Sequence, residues 1–311
     1  MNNYIIIGQY LMNIIIYSVI ITNKYKNDKH IHYELEKTKK YLQAYIKNKN
    51  IKKPKYEILN DREKQLLAEI LLKIKEEDKE LYNISKKIIL FTNKSNIRNF
   101  EYNLLTLKIN RKKKNKLIMI IKNDLTIGTY DIFTNEIDTF DKKKTTLTHE
   151  ILHSSSSNPY YAAVGFNRLF GEIKEIELEQ NEIGRGLNEG YTELINNRLF
   201  KEKSYSYILL NKIAYLIELL FENKEDMKNY YFNNNLEGII YELNKYIKEE
   251  EIIELLIDID ELYYNKNIFT YFKIKKKILK IIEQNKTEEE IENFKKEYHQ
   301  NHLIKIMKKS L

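Results

Sequence analysis

His149-Glu150-Ile151-Leu152-His153 is the stretch on which the reading of this chain turns. An α-helix advances by about 100° per residue, so positions four apart stand almost one above the other. In a helix, His149 and His153 therefore project from one face with their imidazoles side by side. Two imidazoles so placed can grip one metal ion. Glu150, offset beside them, stays clear to take a proton from a water at that ion. The bland reading is an exposed helical turn carrying two of the chain's six histidines. A catalytic zinc ion needs three protein ligands and one open position, so a third donor decides between the two.

Gly186-Leu187-Asn188-Glu189-Gly190-Tyr191-Thr192-Glu193-Leu194 supplies it. Glu189 and Glu193 are again four apart, so one helix face presents both carboxylates. One can bind the metal while the other accepts the free ring N–H of a ligand histidine and fixes its tautomer. Taken alone, the pair would read as solvated glutamates on an amphipathic helix. The segment, however, reads N-E-G-Y-T-E, fits the pattern N-E-x-x-[ST]-[DE], and starts its carboxylate pair 36 positions after His153. In that order the two motifs resemble those of the gluzincin metallopeptidases, the group that includes thermolysin and the zinc aminopeptidases. The resemblance covers about 70 residues, from near Leu125 to near Phe200, and leaves the first and last hundred unmatched.

The resemblance implies one Zn²⁺ ion held by His149, His153 and Glu189. Glu193 would support a ligand histidine without touching the metal, and Glu150 would act as general base on a peptide or protein substrate. Peptidases of this kind often place a tyrosine, histidine or arginine donor on the developing oxyanion. Tyr160, Tyr161, Arg185 and Tyr191 are the nearby options, drawn from a chain with 25 tyrosines. Three other functions compete. One is a regulatory protease that cuts a single partner protein. Another is a zincin-fold binding module without turnover, against which the intact Glu150 argues. The last is an interaction protein in which the motifs coincide by chance, against which their pairing argues.

Composition narrows the field further. The chain has 311 residues, 53 basic against 45 acidic, for a net charge of +8. Its abundance of Lys, Asn, Ile and Tyr and scarcity of Gly, Pro and Trp match AT-rich codons, and the lysines are interleaved with glutamates along the chain. Only Arg111-Lys112-Lys113-Lys114 is dense, and it reads as a turn between strands. Nucleic acid is therefore not an expected partner. There is no cysteine, so any metal must be held by histidine and carboxylate.

The expected fold is α+β: a zincin-like core with a small, mostly antiparallel sheet and an active-site helix, flanked by helical regions. Residues 1–23 form a hydrophobic N-terminal segment, 24–86 a helical region, 87–203 the catalytic core and 204–311 an all-helical lobe. Residues 4–22 are almost uncharged and long enough to cross a bilayer. They read equally as a membrane anchor or a buried element. As an anchor, the lysines at 24, 26 and 29 would leave the core on the cytoplasmic side; otherwise the chain is cytoplasmic. Strands are expected at Ile88–Phe91, Leu104–Leu107, Leu117–Ile121, Leu125–Asp131 and Glu136–Phe140. Ser154 to Pro159 reads as the turn that ends the active-site helix. His30, His32, His299 and His302 have no carboxylate motif around them and read as incidental.

Overall fold

Lys144–Ser155 is a helix, and every residue from Thr146 to Ser155 in it is buried. Its polar and apolar faces are both enclosed, which marks a central helix rather than a surface one. The computed structural model describes residues 29–48, 60–92, 103–111, 127–141, 143–174, 177–201, 207–293 and 296. Residues 4–22, the expected strand at Leu117–Ile121, Lys112 to Lys114, and His299 and His302 lie outside the described residues. Among the described residues no helix is long and apolar enough to cross a membrane.

Among the described residues three helices come first: α1 (Lys29–Asn48), α2 (Asp61–Glu77) and α3 (Lys79–Thr92). Asn60 and Glu63 form a reciprocal capping box that starts α2. The expected strand at Ile88–Phe91 is instead the last turn of α3. Leu81, Ile84, Ser85, Ile88 and Thr92 are its buried positions, a spacing of three and four that only a helix gives. The expected strand at Leu104–Leu107 is likewise corrected: residues 103–106 form a helical turn.

Among the described residues a three-stranded sheet follows, from β1 (Lys108–Arg111), β2 (Gly128–Asp131) and β3 (Glu136–Thr139), in the order β1-β3-β2. β1 runs parallel to β3, and β2 pairs antiparallel with it, Gly128 facing Thr139. The Lys144–Ser155 helix, α4, packs against β2 and β3. Its serine-rich end is closed by its own hydroxyls: Ser155 Oγ donates to the Ile151 carbonyl (2.6 Å) and Ser157 Oγ to that of Ser154 (2.9 Å). Asn103 Nδ2 donates to the Ser154 carbonyl (2.8 Å), tying the sheet side to the helix end.

The chain then builds a second, wholly antiparallel sheet: β4 (Ser157–Asn158), β5 (Ala163–Val164), β6 (Asn167–Lys174) and β7 (Glu177–Ile183), in that order. It leads into α5 (Arg185–Phe200), the helix that carries the N-E-G-Y-T-E motif. The described part of the C-terminal lobe contains α6 (Ile208–Glu218), α7 (Lys224–Phe232), α8 (Leu236–Leu243), α9 (Glu249–Asn265) and α10 (Ile268–Asn285), and residues 288–293 are helical as well. This is an α+β fold with small sheets between N- and C-terminal helical segments.

α5 lies at the centre, packed on α4, α6 and α9. A single apolar core joins Ile151 and Leu152 of α4, Leu187 and Ile195 of α5, and Ile213, Leu216 and Ile259 of the lobe. Burying one such side chain is worth about 1.5–3 kcal/mol. Polar links set the alignment of the two motif helices. Thr148 Oγ1 donates to Asn196 Oδ1 (2.7 Å), and Asn196 Nδ2 donates to the Thr145 carbonyl (3.1 Å). Arg198 forks onto the buried Glu218 of α6 at 2.7 and 2.5 Å. A slip of either helix by one turn would break these pairs and leave their polar groups buried without partners, which is costly.

Candidate metal centre

α4 and α5 meet where the two motifs face each other. His149 Nε2 lies 3.1 Å from His153 Nε2 and 3.2 Å from Glu189 Oε2, and His153 Nε2 lies 3.5 Å from that same oxygen. Among the described residues these three form the group of donors close enough to hold one metal ion. Their spacing fits a zinc ion. At a Zn–N distance near 2.0–2.1 Å, ligand atoms at the corners of a tetrahedron stand about 3.3 Å apart. Two neutral imidazoles and one carboxylate are also a donor set seen at catalytic zinc. The buried His149-Glu150-His153 cluster with Glu189 thus has the spacing of a gluzincin-type zinc triad.

The remaining ring nitrogens are held from behind. His149 Nδ1 is 3.2 Å from Glu193 Oε2, and the other oxygen of Glu193 accepts from Asn197 Nδ2 (3.1 Å). Asn188, anchored by the Phe166 N–H that its carbonyl oxygen accepts (3.1 Å), packs its amide nitrogen 3.4 Å from His153 Nδ1, a steric contact rather than a hydrogen bond when Nε2 faces a metal. Both rings are therefore aimed with Nε2 toward Glu189.

The electrostatics ask for a cation. His149, Glu150 and His153 are only 7%, 7% and 6% exposed, yet Glu150, Glu189 and Glu193 bring three carboxylates to one place. Burial opposes a charge on His149, but hydrogen bonds with Glu189 and Glu193 and the charge of Glu150 outweigh it and push its pKa up to about 10. Burial also opposes charge on Glu189. The charge of His153 and the hydrogen bond from His149 prevail there, and its carboxyl is held well below the usual range. Glu150 goes the other way: burial raises its pKa, and the two histidines only partly offset this. A carboxylate with a raised pKa is better matched to accepting a proton near neutrality.

Gly128, on β2, sits directly against Glu150. A Cβ at that position would lie 2.7 Å from Glu150 Oε1 and 2.7 Å from Thr146 Cγ2, so any larger residue there would push the Glu150 or Thr146 side chain aside.

The four oxyanion options separate. Tyr160 and Tyr161 sit on a 3₁₀ turn, 87% and 66% exposed, packed edge to face on each other. Tyr191 is two positions from Glu189, about 200° around the helix, and its hydroxyl donates to Glu218 (3.2 Å). Arg185 lies four positions before Glu189 on the same face. It pairs with Glu182 (2.6 Å) and lies over the Tyr263 ring (4.6 Å). Glu189 is among the charges that favour its guanidinium.

A residue that sequence reasoning missed packs on a donor ring. The Tyr207 ring stacks on His149 (5.6 Å between centroids, 26° between planes) and on Tyr263 (6.1 Å, 25°). The charge of Glu189, then burial, holds its hydroxyl well above the usual phenol range, so it stays a neutral donor. Tyr207 obeys no spacing rule relative to either motif, and 24 other tyrosines hide it.

No protein-family model matches the chain, and neither the curated proteins nor the solved structures contain a match to it.

Proposed function

We propose that this chain is a zinc-dependent metallopeptidase of gluzincin type, hydrolysing a peptide bond in a peptide or protein substrate. The observation that carries the reading is the convergence of His149 Nε2, His153 Nε2 and Glu189 Oε2 within 3.5 Å of one another, with Glu150 buried beside them. When bound, zinc supplies Lewis acidity and brings the pKa of a water toward neutrality. Glu150 takes the proton of the attacking water and passes it to the leaving amine. Tyr207 offers its O–H to the carbonyl oxygen as that atom gains charge. β2 runs beside Glu150 and is the nearest candidate to hold an extended peptide by main-chain hydrogen bonds. Metal analysis of the purified chain, followed by a peptide-library digest with and without a chelator, tests the whole reading. Less than stoichiometric metal or chelator-insensitive cleavage would sink it.

Two variants probe residues near the donors. Tyr207→Phe keeps the ring that stacks on His149 and removes only the hydroxyl. Zinc content should hold, while kcat falls by about a hundredfold, the usual cost of one oxyanion donor. An unchanged kcat would return the role to another group. Glu193→Ala leaves the three donors in place but frees the His149 ring. It should weaken zinc affinity by about 10–100-fold. The comparison is with Glu249→Ala, an exposed glutamate at the start of α9. Equal zinc titrations for the two variants would reduce Glu193 to an ordinary helix residue.

A further inference from the structure

We infer that Asp260, in the C-terminal lobe, is a positioning residue for the metal's carboxylate ligand, holding the first turn of the helix that carries Glu189. The inference rests on the metal centre proposed above. A helix begins with backbone N–H groups that its own turns leave unpaired, and a side chain at the N-cap usually accepts one. α5 has Gly184 at that place, which has no side chain to do so. The acceptor comes from α9 instead. Asp260 Oδ2 accepts the Gly184 N–H (2.9 Å), and Oδ1 accepts the Gly186 N–H (2.7 Å), across 76 and 74 positions of chain. Asp260 is 2% exposed. Both carboxylate oxygens are thus spent on one turn of one helix, whose positive end also favours a negative group.

The contact fixes position as well as capping. A Cβ on Gly186 would lie 2.3 Å from the Ile259 carbonyl oxygen, so the first turn of α5 rests directly on the backbone of α9. Glu189 is three residues beyond Gly186, less than one turn, or about 4.5 Å along the axis. Arg185, between Gly184 and Gly186, is tied to the same helix through the Tyr263 ring. A shift of this turn moves Glu189 with it, and metal ligands tolerate only about 0.2 Å of displacement. Asp260 touches neither the donors nor the place of the substrate. It acts through the helix it holds.

The test compares Asp260→Ala and Asp260→Asn with Asp258→Ala. Asp258 lies on the same helix and pairs with Lys273 (2.8 Å), so its loss disturbs α9 without touching α5. Each chain is measured for Tm without metal, for zinc affinity by chelator competition, and for the visible spectrum of its Co²⁺ form. D260A should weaken zinc by about tenfold or more and shift the Co²⁺ bands. It should also lower Tm more than D258A, because two buried N–H groups lose their acceptor, so zinc affinity and the Co²⁺ spectrum are the deciding readouts. D260N, with one acceptor oxygen left, should fall between parent and D260A, and it decides the matter if D260A does not fold. Asp260 variants with parental zinc affinity and Co²⁺ spectrum would show a purely structural cap and overturn the inference alone. A parent chain that takes up no zinc overturns the metal centre and this inference with it.

Discussion

Glu189→Ala is expected to strip the chain of its zinc. The three converging donors become two imidazoles 3.1 Å apart, and two are too few for a stable zinc site. No neighbour can step in without loss. Glu193 is held between His149 Nδ1 and Asn197 (3.2 and 3.1 Å). Glu150 is the base of the proposed mechanism, and drafting it as a ligand would remove that base. The helix itself should survive, because alanine is the best helix former and Glu189 is not part of the apolar core. The loss of affinity should exceed the about hundredfold expected for a residue behind the ligands. Metal analysis after dialysis gives the first readout. Thermal unfolding gives the second, since a ligand that binds only the folded chain raises its stability by mass action. The parent's Tm should drop on adding a chelator, and that of Glu189→Ala should not move. Full zinc occupancy in the variant would mean that another residue is the third ligand.

The donors were legible in the sequence because both motifs lie within single helices. Periodicity alone places His149 over His153 and Glu189 over Glu193, and tertiary structure only has to bring the two faces together. The helical lobe was legible for the same reason: the apolar spacing of Ile208 to Phe221 and Ile252 to Tyr263 is local. The stretch between the motifs was not. β6 and β7 read N-R-L-F-G-E-I-K and E-L-E-Q-N-E-I, dense in glutamate and poor in β-branched residues. Their pairing, Arg168 facing Ile183 through Lys174 facing Glu177, is a cross-strand property rather than a propensity. Ile88–Phe91 misleads in the opposite way. Four apolar residues in a row suit a buried strand, and only the longer window back to Leu81 shows the helical repeat.

Tyr207 and Asp260 were beyond sequence reasoning for a common reason. Each reaches the metal helices from the C-terminal lobe, by a stack of rings in one case and by a cap in the other. Such contacts depend on how α6 and α9 dock on α5. Nothing in the sequence around either residue records that docking. A core that sequence describes as two motifs is thus packed on the lobe around it, through α6 and α9 against α5.

Glu150→Gln should separate metal binding from turnover. The amide has nearly the size and shape of the carboxylate, so the contact with Gly128 and the packing of α4 on β2 should persist. His149, His153 and Glu189 are untouched, and zinc content should equal the parent's. What disappears is the ability to take a proton, because a neutral amide does not accept one at neutral pH. General-base catalysis contributes about 10²–10⁴-fold, and peptide hydrolysis should fall by at least about a hundredfold. The electrostatics point the same way: burial raises the pKa of Glu150, which suits it to return the proton to the leaving amine. The measurement is kcat/KM on the best peptide from the library, with zinc quantified in the same preparations. Parental cleavage by a fully loaded Glu150→Gln chain would end the case for a glutamate-assisted metallopeptidase, whatever the metal content shows.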